Sequence, residues 1–345
     1  MRNLYIHCGL PKTGTTSLQI FLTSVREQLN AVDFDYPAMC LNKEGYNHSN
    51  LTWEFSGHSY FDPNAGTFRD LMRYLRSPKR KSNVLISAEG LANCLVREDS
   101  TVRFQRFLRA AVQWNDRVYL IFSFRTFWRY IESLYLQLLK AGNLRKSLSS
   151  QIDVRLLWFR QLFEQISVLH KILGDKRVLV VDVDQSDSIT EMLAILKIDE
   201  RKLGPRPEKL NTRLGLKKAA LLYLYQFGSE GQNSDRTQHQ ILRFAQSMDR
   251  MADLPNDVYD YHLITLEEAN RIQKNVRKHI PSFLSAQMES VSRAVDASHH
   301  AVVLEDVVLT VKDALTIADV LIPPERDRDP RKQKLKQLDA LQSPR

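Results

Sequence analysis

The chain has 345 residues, 43% of them hydrophobic and 26% charged, which excludes a disordered or collagen-like polymer and leaves a globular protein with a full core. Its net charge of +9 favours an anionic ligand, an acidic polymer or a membrane surface without choosing among them. Cys8, Cys40 and Cys94 are odd in number and lack metal-ligand spacing, which argues against a disulfide framework and a zinc site.

The opening "MRNLYIHCGL" has too short an apolar run for a secretory signal, and no uncharged apolar run approaches the ~18 residues of a membrane span. The expectation is a soluble, cytoplasmic protein with no transmembrane segment, peripheral membrane contact being left open. "NLYIHC" (Asn3–Cys8) predicts a short buried strand. From Thr15 onward Leu18, Phe21, Leu22, Val25 and Leu29 form a one-face helical stripe. Between them, "HCGLPKTGTTSLQ" (His7–Gln19) has the glycines, lysine and hydroxyls of a phosphate loop. The nucleoside-triphosphate form reads G-x-x-x-x-G-K-[ST], with lysine directly after the second glycine. Here Gly9 and Gly14 keep that separation, but Thr15 holds the lysine position and Lys12 lies inside the loop.

A strand–loop–helix junction presents free amides and a positive dipole end, which suits one phosphate. Thr15, Thr16 and Ser17 add donors, and Lys12 would lean towards a group attached to that phosphate. Residues 31–80 read as irregular, rich in aromatic, Asn, His and Gly residues. "NVLISAEGL" (Asn83–Leu91) and "RVYLIFSFR" (Arg117–Arg125) predict further strands, the latter leading into a helix closed by Gly142. "RVLVVDVD" (Arg177–Asp184) predicts a fourth strand and "ITEMLAILKI" a helix. Buried strands alternating with amphipathic helices imply a parallel sheet covered on both sides. After Pro205 the segments "KKAALLYLYQF", "QHQILRFAQSM" and "LEEANRIQKNVRKHI" are helical, and "AVVLEDVVLTV" is ambiguous between helix and strand. The expected organisation is a nucleotide-binding core over 1–204, a helical part over 205–322 completing the same domain, and a charged, poorly packed tail over 323–345.

The loop, in its His-x-Gly-x-x-Lys-Thr-Gly-Thr-Thr-Ser form, resembles the 5′-phosphosulfate loop of sulfotransferases that use 3′-phosphoadenosine-5′-phosphosulfate (PAPS), in their bacterial, carbohydrate-type branch. "SFRTFWRYIESLYLQLLK" (Ser123–Lys140) is similar to that family's 3′-phosphate motif, in which a strand-ending Arg precedes a helical Ser by eight residues; here these are Arg125 and Ser133. A guanidinium grips a phosphate bidentately, and the serine adds a donor from another direction. "KLNTRLGLKKAALLYL" (Lys209–Leu224) is similar to a segment that closes over the nucleotide, with Arg213 where the family has Ser, so Asn211 and Arg213 join the candidates. The resemblance covers residues 3–200 in motif order and is looser beyond.

The resemblance implies an α/β, P-loop-like three-layer fold with a central parallel sheet flanked by helices, plus a helix-rich C-terminal part. It implies a donor site of Lys12, Thr13, Gly14, Thr15, Thr16, Ser17, Arg125 and Ser133, a PAP product (adenosine 3′,5′-bisphosphate) and no metal. Lys12 would stabilise the bridging oxygen of the leaving 5′-phosphate. Glu89 is the first choice of general base and His48 its rival, with Glu44 and His58 further back; the His299–His300 pair reads as surface. The implied acceptor is a hydroxyl or amine of a small molecule or oligosaccharide, by resemblance a carbohydrate or glycolipid, and not a nucleic acid; Tyr46, Trp53 and Phe55 in Tyr36–Tyr60 are candidates to stack on sugar rings. Nothing in the sequence specifies an oligomeric state. Two alternatives remain: a P-loop kinase or other nucleoside-triphosphate enzyme, which Thr15 and the missing magnesium carboxylate disfavour, and a catalytically silent scaffold.

Overall fold

The computed structural model describes residues 1–174, 177–206, 214–227, 238–250 and 260–293, together with 254, 257, 258, 295, 301, 302, 304 and 307. The chain forms two compact units, one from residues 1–135, 146–212 and 264–301 and one from 136–145, 213–263 and 302–345.

The first unit is α/β. Its five-stranded sheet comprises β1 (Asn3–His7), β2 (Phe34–Asp35), β3 (Asn83–Ser87), β4 (Arg117–Phe124) and β5 (Val178–Asp182), in the order β2-β3-β1-β4-β5. Every pairing is parallel; Asn3 of β1 stands opposite Asn83 of β3 and Arg117 of β4. Side-chain alternation divides the sheet cleanly. Leu4, Ile6, Val84, Ile86, Leu120 and Phe122 enter one core, shared with α6 (Glu98–Trp114), α7 (Phe127–Lys140), α8 (Leu148–Leu173) and α12 (Leu266–Arg277). Leu85, Ile121 and Val181 enter the other, against α1 (Thr15–Ser24), α2 (Arg26–Ala31) and α9 (Ser188–Leu196). Both faces are therefore covered, as a parallel sheet requires.

The stretch 31–80 is not irregular. It contains β2, α3 (Ser49–Ser56) and α4 (Phe68–Arg76). α4 starts at a capping box in which Thr67 accepts the Asp70 amide and Asp70 accepts the Thr67 amide, and it buries Leu71, Met72 and Leu75. The strand expected over 83–91 stops at Ser87, and Glu89 instead opens the short helix α5 (Gly90–Cys94).

In the second unit α10 (Leu216–Phe227) packs on α11 (Gln238–Arg250) through the stacked rings of Tyr225 and Phe244, 3.8 Å apart. Gln226 donates to the Leu139 carbonyl at 2.9 Å. Among the described residues, no helix is long and apolar enough to cross a membrane.

Candidate functional site

On the face that carries α1, the inner strands change character at their carboxyl ends. Tyr5, Leu85 and Ile121 are followed two residues on by His7, Ser87 and Ser123, all fully buried. His7 Nδ1 is 2.8 Å from Ser87 Oγ and its Nε2 is 2.7 Å from Ser123 Oγ, so the ring bridges β3 and β4. Gln19 of α1 donates to Ser87 Oγ at 2.9 Å. Burial pushes the His7 imidazole down to about 3, so the bridge is a neutral ring that donates from one nitrogen and accepts at the other. These residues form the floor of a site at the sheet edge where β1 leads away to β2 and β4 to β5. Such a reversal is where open parallel sheets bind ligands.

The loop from Cys8 to Gly14 lies over this floor. A Cβ on Gly9 would sit 2.1 Å from the Thr15 methyl and 3.0 Å from the His7 ring, so only glycine passes between them. Gly14 is left-handed at φ 72 and its carbonyl accepts Ser188 Oγ at 3.0 Å, which ties the loop to α9. Lys12 is also left-handed, at φ 66, a conformation that costs a lysine about 1 kcal/mol. Left-handed residues of this kind turn successive amides into anion-binding concavities. α1 begins at Thr15 with no side-chain cap and no acidic residue in its first turn, leaving the first amides for an anion.

The hydroxyls are less available than expected. Thr13 is buried and donates to the Leu10 carbonyl at 2.6 Å, stapling the loop. Thr15 Oγ1 donates to Glu89 Oε1, and Thr16 also hydrogen-bonds that carboxylate. Of the expected donors, Thr13 and Thr15 therefore act through their backbone amides, and Ser17 keeps no such internal bond among the described residues.

Glu89 reaches the loop from the β3 side. Burial raises its pKa above the usual carboxylate value, while the Thr15 hydrogen bond, the Lys12 ammonium and the Thr16 hydrogen bond pull it back. The carboxyl group lies beside a cation, in a half-buried position. His48, the other candidate base, backs onto the floor through the Ser87 backbone. It is fully buried; its Nδ1 accepts the Ser87 amide at 3.2 Å and its Nε2 donates to the Pro37 carbonyl at 3.1 Å. Burial pushes it down to about 4, against the two backbone hydrogen bonds that raise it. Neither nitrogen is left to accept a proton, so His48 is corrected to a structural histidine linking β3 to the Pro37 turn.

Arg125 and Ser133 meet. Arg125 Nη1 donates to Ser133 Oγ at 3.1 Å and to the Lys12 carbonyl at 3.3 Å, so the guanidinium, the α7 serine and the loop are joined. Its Nη2 faces Asp184 Oδ1 at 3.3 Å. Arg125 Nε is buried with no hydrogen-bond partner among the described residues. An orphaned cationic donor costs stability unless something supplies its acceptor.

Of the aromatic segment, Phe55 belongs to the core, whereas burial raises the Tyr46 phenol, with smaller contributions from the Glu44 and Glu89 carboxylates. Trp53 and Tyr60 pair edge-on at 5.7 Å, and His58 packs on Tyr60. Glu44 is exposed and accepts from Asn42 at 2.6 Å. Asn211, Arg213, His299, His300 and the tail over 323–345 lie outside the described residues. Among the described residues no group of three or more His, Cys, Asp or Glu side chains is placed to hold a metal ion. Contributors outside the sequence-based candidates include His7, Gln19, Ser87, Ser123, Asp184 and Ser188. His7, Ser87 and Ser123 share one signal, a polar residue towards the end of an apolar strand. No protein-family model matches the chain, and no curated protein matches it.

Proposed function

We propose that the protein is a sulfotransferase of P-loop-like fold that moves a sulfuryl group from PAPS to a hydroxyl or amine of an acceptor, with a carbohydrate as the acceptor class. The observation that carries this reading is the junction of Arg125 with both Ser133 and the Lys12 carbonyl, because it joins an anion-binding pair to an uncapped loop–helix start in one site. The orphaned Arg125 Nε supports a second anion there. The strand order supports a phosphate-loop topology, with the loop following the central strand β1.

When bound, the donor supplies an activated sulfuryl group on a 5′-phosphate leaving group. The amides at the start of α1 hold that phosphate, and Arg125 with Ser133 holds the 3′-phosphate. The acceptor oxygen–sulfur bond forms as the bond from sulfur to the bridging oxygen breaks, through a loose in-line transition state like that of phosphoryl transfer. Lys12 neutralises the charge growing on the bridging oxygen. Glu89 takes the acceptor's proton, and the Thr15 and Thr16 hydroxyls orient its carboxylate. A sulfuryl group carries less charge than a phosphoryl group, so one ammonium can replace a metal clamp.

The test is calorimetric titration with adenosine 3′,5′-bisphosphate in the presence of a chelator, followed by labelled-sulfate transfer from PAPS to a panel of glycans. Tight binding and transfer are expected. Preference for magnesium–ATP would instead favour the triphosphate-enzyme alternative, and activity that survives Lys12→Ala would refute the mechanism.

A further inference from the structure

Asp184 places a carboxylate where three anion-binding groups converge. Its Oδ2 accepts the Thr126 amide at 2.7 Å, just before the first residue of α7. Its Oδ1 lies 3.3 Å from Arg125 Nη2 and 4.0 Å from Arg129 Nη1. Arg129 precedes Ser133 by four residues on α7, so the two lie one turn apart on the same helix face. The backbone that carries it is firmly held. The Asp184 amide donates to Asp182 Oδ1 at 3.0 Å, the other Asp182 oxygen accepts Ser290 Oγ, and the Val183 amide extends the sheet to the Phe124 carbonyl at 3.0 Å.

Arg125 is therefore fixed from two sides, by the Lys12 carbonyl through Nη1 and by Asp184 through Nη2. A long arginine side chain loses rotamer freedom when it is ordered. Restraining it before a ligand arrives removes that cost from binding. The same carboxylate faces Arg129, which is half exposed and whose guanidinium also lies over the Trp128 ring, 5.3 Å from its centre. Two guanidiniums against one carboxylate leave a net positive charge beside Ser133, as an incoming phosphate monoester requires.

We infer that Asp184 is a positioning residue that aims Arg125 and Arg129 as a paired clamp for the nucleotide's 3′-phosphate, with Arg129 as its second guanidinium. This rests on the proposed donor-binding reading and extends it to two residues outside the expected set. Asp184 touches no substrate atom; its effect passes through the two arginines.

The experiment compares two nucleotides on the full chain by calorimetry: adenosine 3′,5′-bisphosphate, and adenosine 5′-phosphate, which lacks the 3′ group. Asp184→Ala is expected to weaken the bisphosphate about tenfold and leave the monophosphate within about twofold. Asp184→Asn, which keeps an oxygen acceptor, should recover part of the loss. Arg129→Gln, at an exposed position that folding does not depend on, should weaken the bisphosphate alone by a few-fold. Equal losses for both nucleotides would mark Asp184 as merely structural and overturn the inference, as would tighter bisphosphate binding, which would make the carboxylate a competitor. Arg125→Ala separates the two levels. If it loses the bisphosphate selectively while Asp184→Ala and Arg129→Gln do not, only this inference falls; if it does not discriminate between the nucleotides, the donor-binding reading falls and takes the inference with it.

Discussion

The two faces of the sheet are made from the same strands and end differently. On the face shared with α6 and α8, β4 stays apolar to its last residue, with Leu120, Phe122 and Phe124 all fully buried. On the α1 face the same strand passes from Ile121 to Ser123, beside His7 and Ser87. One face spends its final positions on packing. The other spends them on a hydrogen-bonded floor under a glycine loop, and it is there that Lys12, Glu89 and Arg125 assemble. A parallel sheet has equivalent faces only in its middle; at the carboxyl edge a single residue type per strand decides which side holds the ligand site.

The contrast predicts separable effects. Phe122→Ala on the packing face should cost about 3–5 kcal/mol of stability, read by denaturant unfolding, because a buried ring is replaced by a cavity. The fraction that remains folded should bind adenosine 3′,5′-bisphosphate as the parent does. A selective loss of affinity would show that the packing face also shapes the site. Glu89→Gln on the other face should reverse the pattern, with kcat down about a thousandfold, or about 4 kcal/mol of barrier, and unfolding barely moved. Its pH profile carries a second signature. Burial raises Glu89, so the parent's rate should fall as acid protonates the base at a pH above the ordinary carboxylate range, and the variant should lack that limb. An acid limb that persists in Glu89→Gln would assign the base elsewhere.

Lys12→Ala comes next, with kcat down about a hundredfold, or about 2.7 kcal/mol. Bisphosphate affinity should change little, since in the proposed mechanism the ammonium serves the sulfated ester that the product lacks. A loss confined to nucleotide affinity, with kcat intact, would turn Lys12 into a binding residue and remove the reason for its place inside the loop.

Much of this arrangement was legible in the sequence, and what was not has a physical explanation. The strand–loop–helix junction shows in "NLYIHCGLPKTGTTSL" because glycine spacing and helical periodicity are local. The Arg125–Ser133 pair shows for the same reason, eight residues along one strand–helix corner. Asp184 does not show, since its partner lies 59 residues away and an Asp after an apolar run reads as an ordinary turn. His48 misled because its partners, the Ser87 amide and the Pro37 carbonyl, are backbone groups that leave no trace in residue type. α4 left two local signs, the helical spacing of Phe68, Leu71, Met72 and Leu75 and the capping box at Thr67 and Asp70, whereas α3 is short and buries the polar Asn50 and Thr52 beside Leu51 and Phe55.

The smallest expected effect tests the floor itself. His7 and His48 are both held neutral by burial, at about 3 and about 4 against an ordinary value near 6.5. The unfolded chain takes up a proton on each as pH falls below ~6.5, while the folded chain does not. Their contribution is therefore fully present above that value and is lost as pH falls towards the folded values. Each histidine should contribute about 1.4 kcal/mol per pH unit once the unfolded state is protonated. Between pH 6.5 and 5 this slope is largely free of Asp187, which Thr190 and Arg206 hold down to about 2 and which acts only at lower pH. His7→Asn, whatever it costs in absolute stability, should roughly halve the slope of unfolding free energy in that window. An unchanged slope would mean that His7 is charged in the folded protein; its contact with Ser87 and Ser123 would then be a cation's, and the floor beneath the anion cradle would itself carry the positive charge assigned above to Lys12 and Arg125.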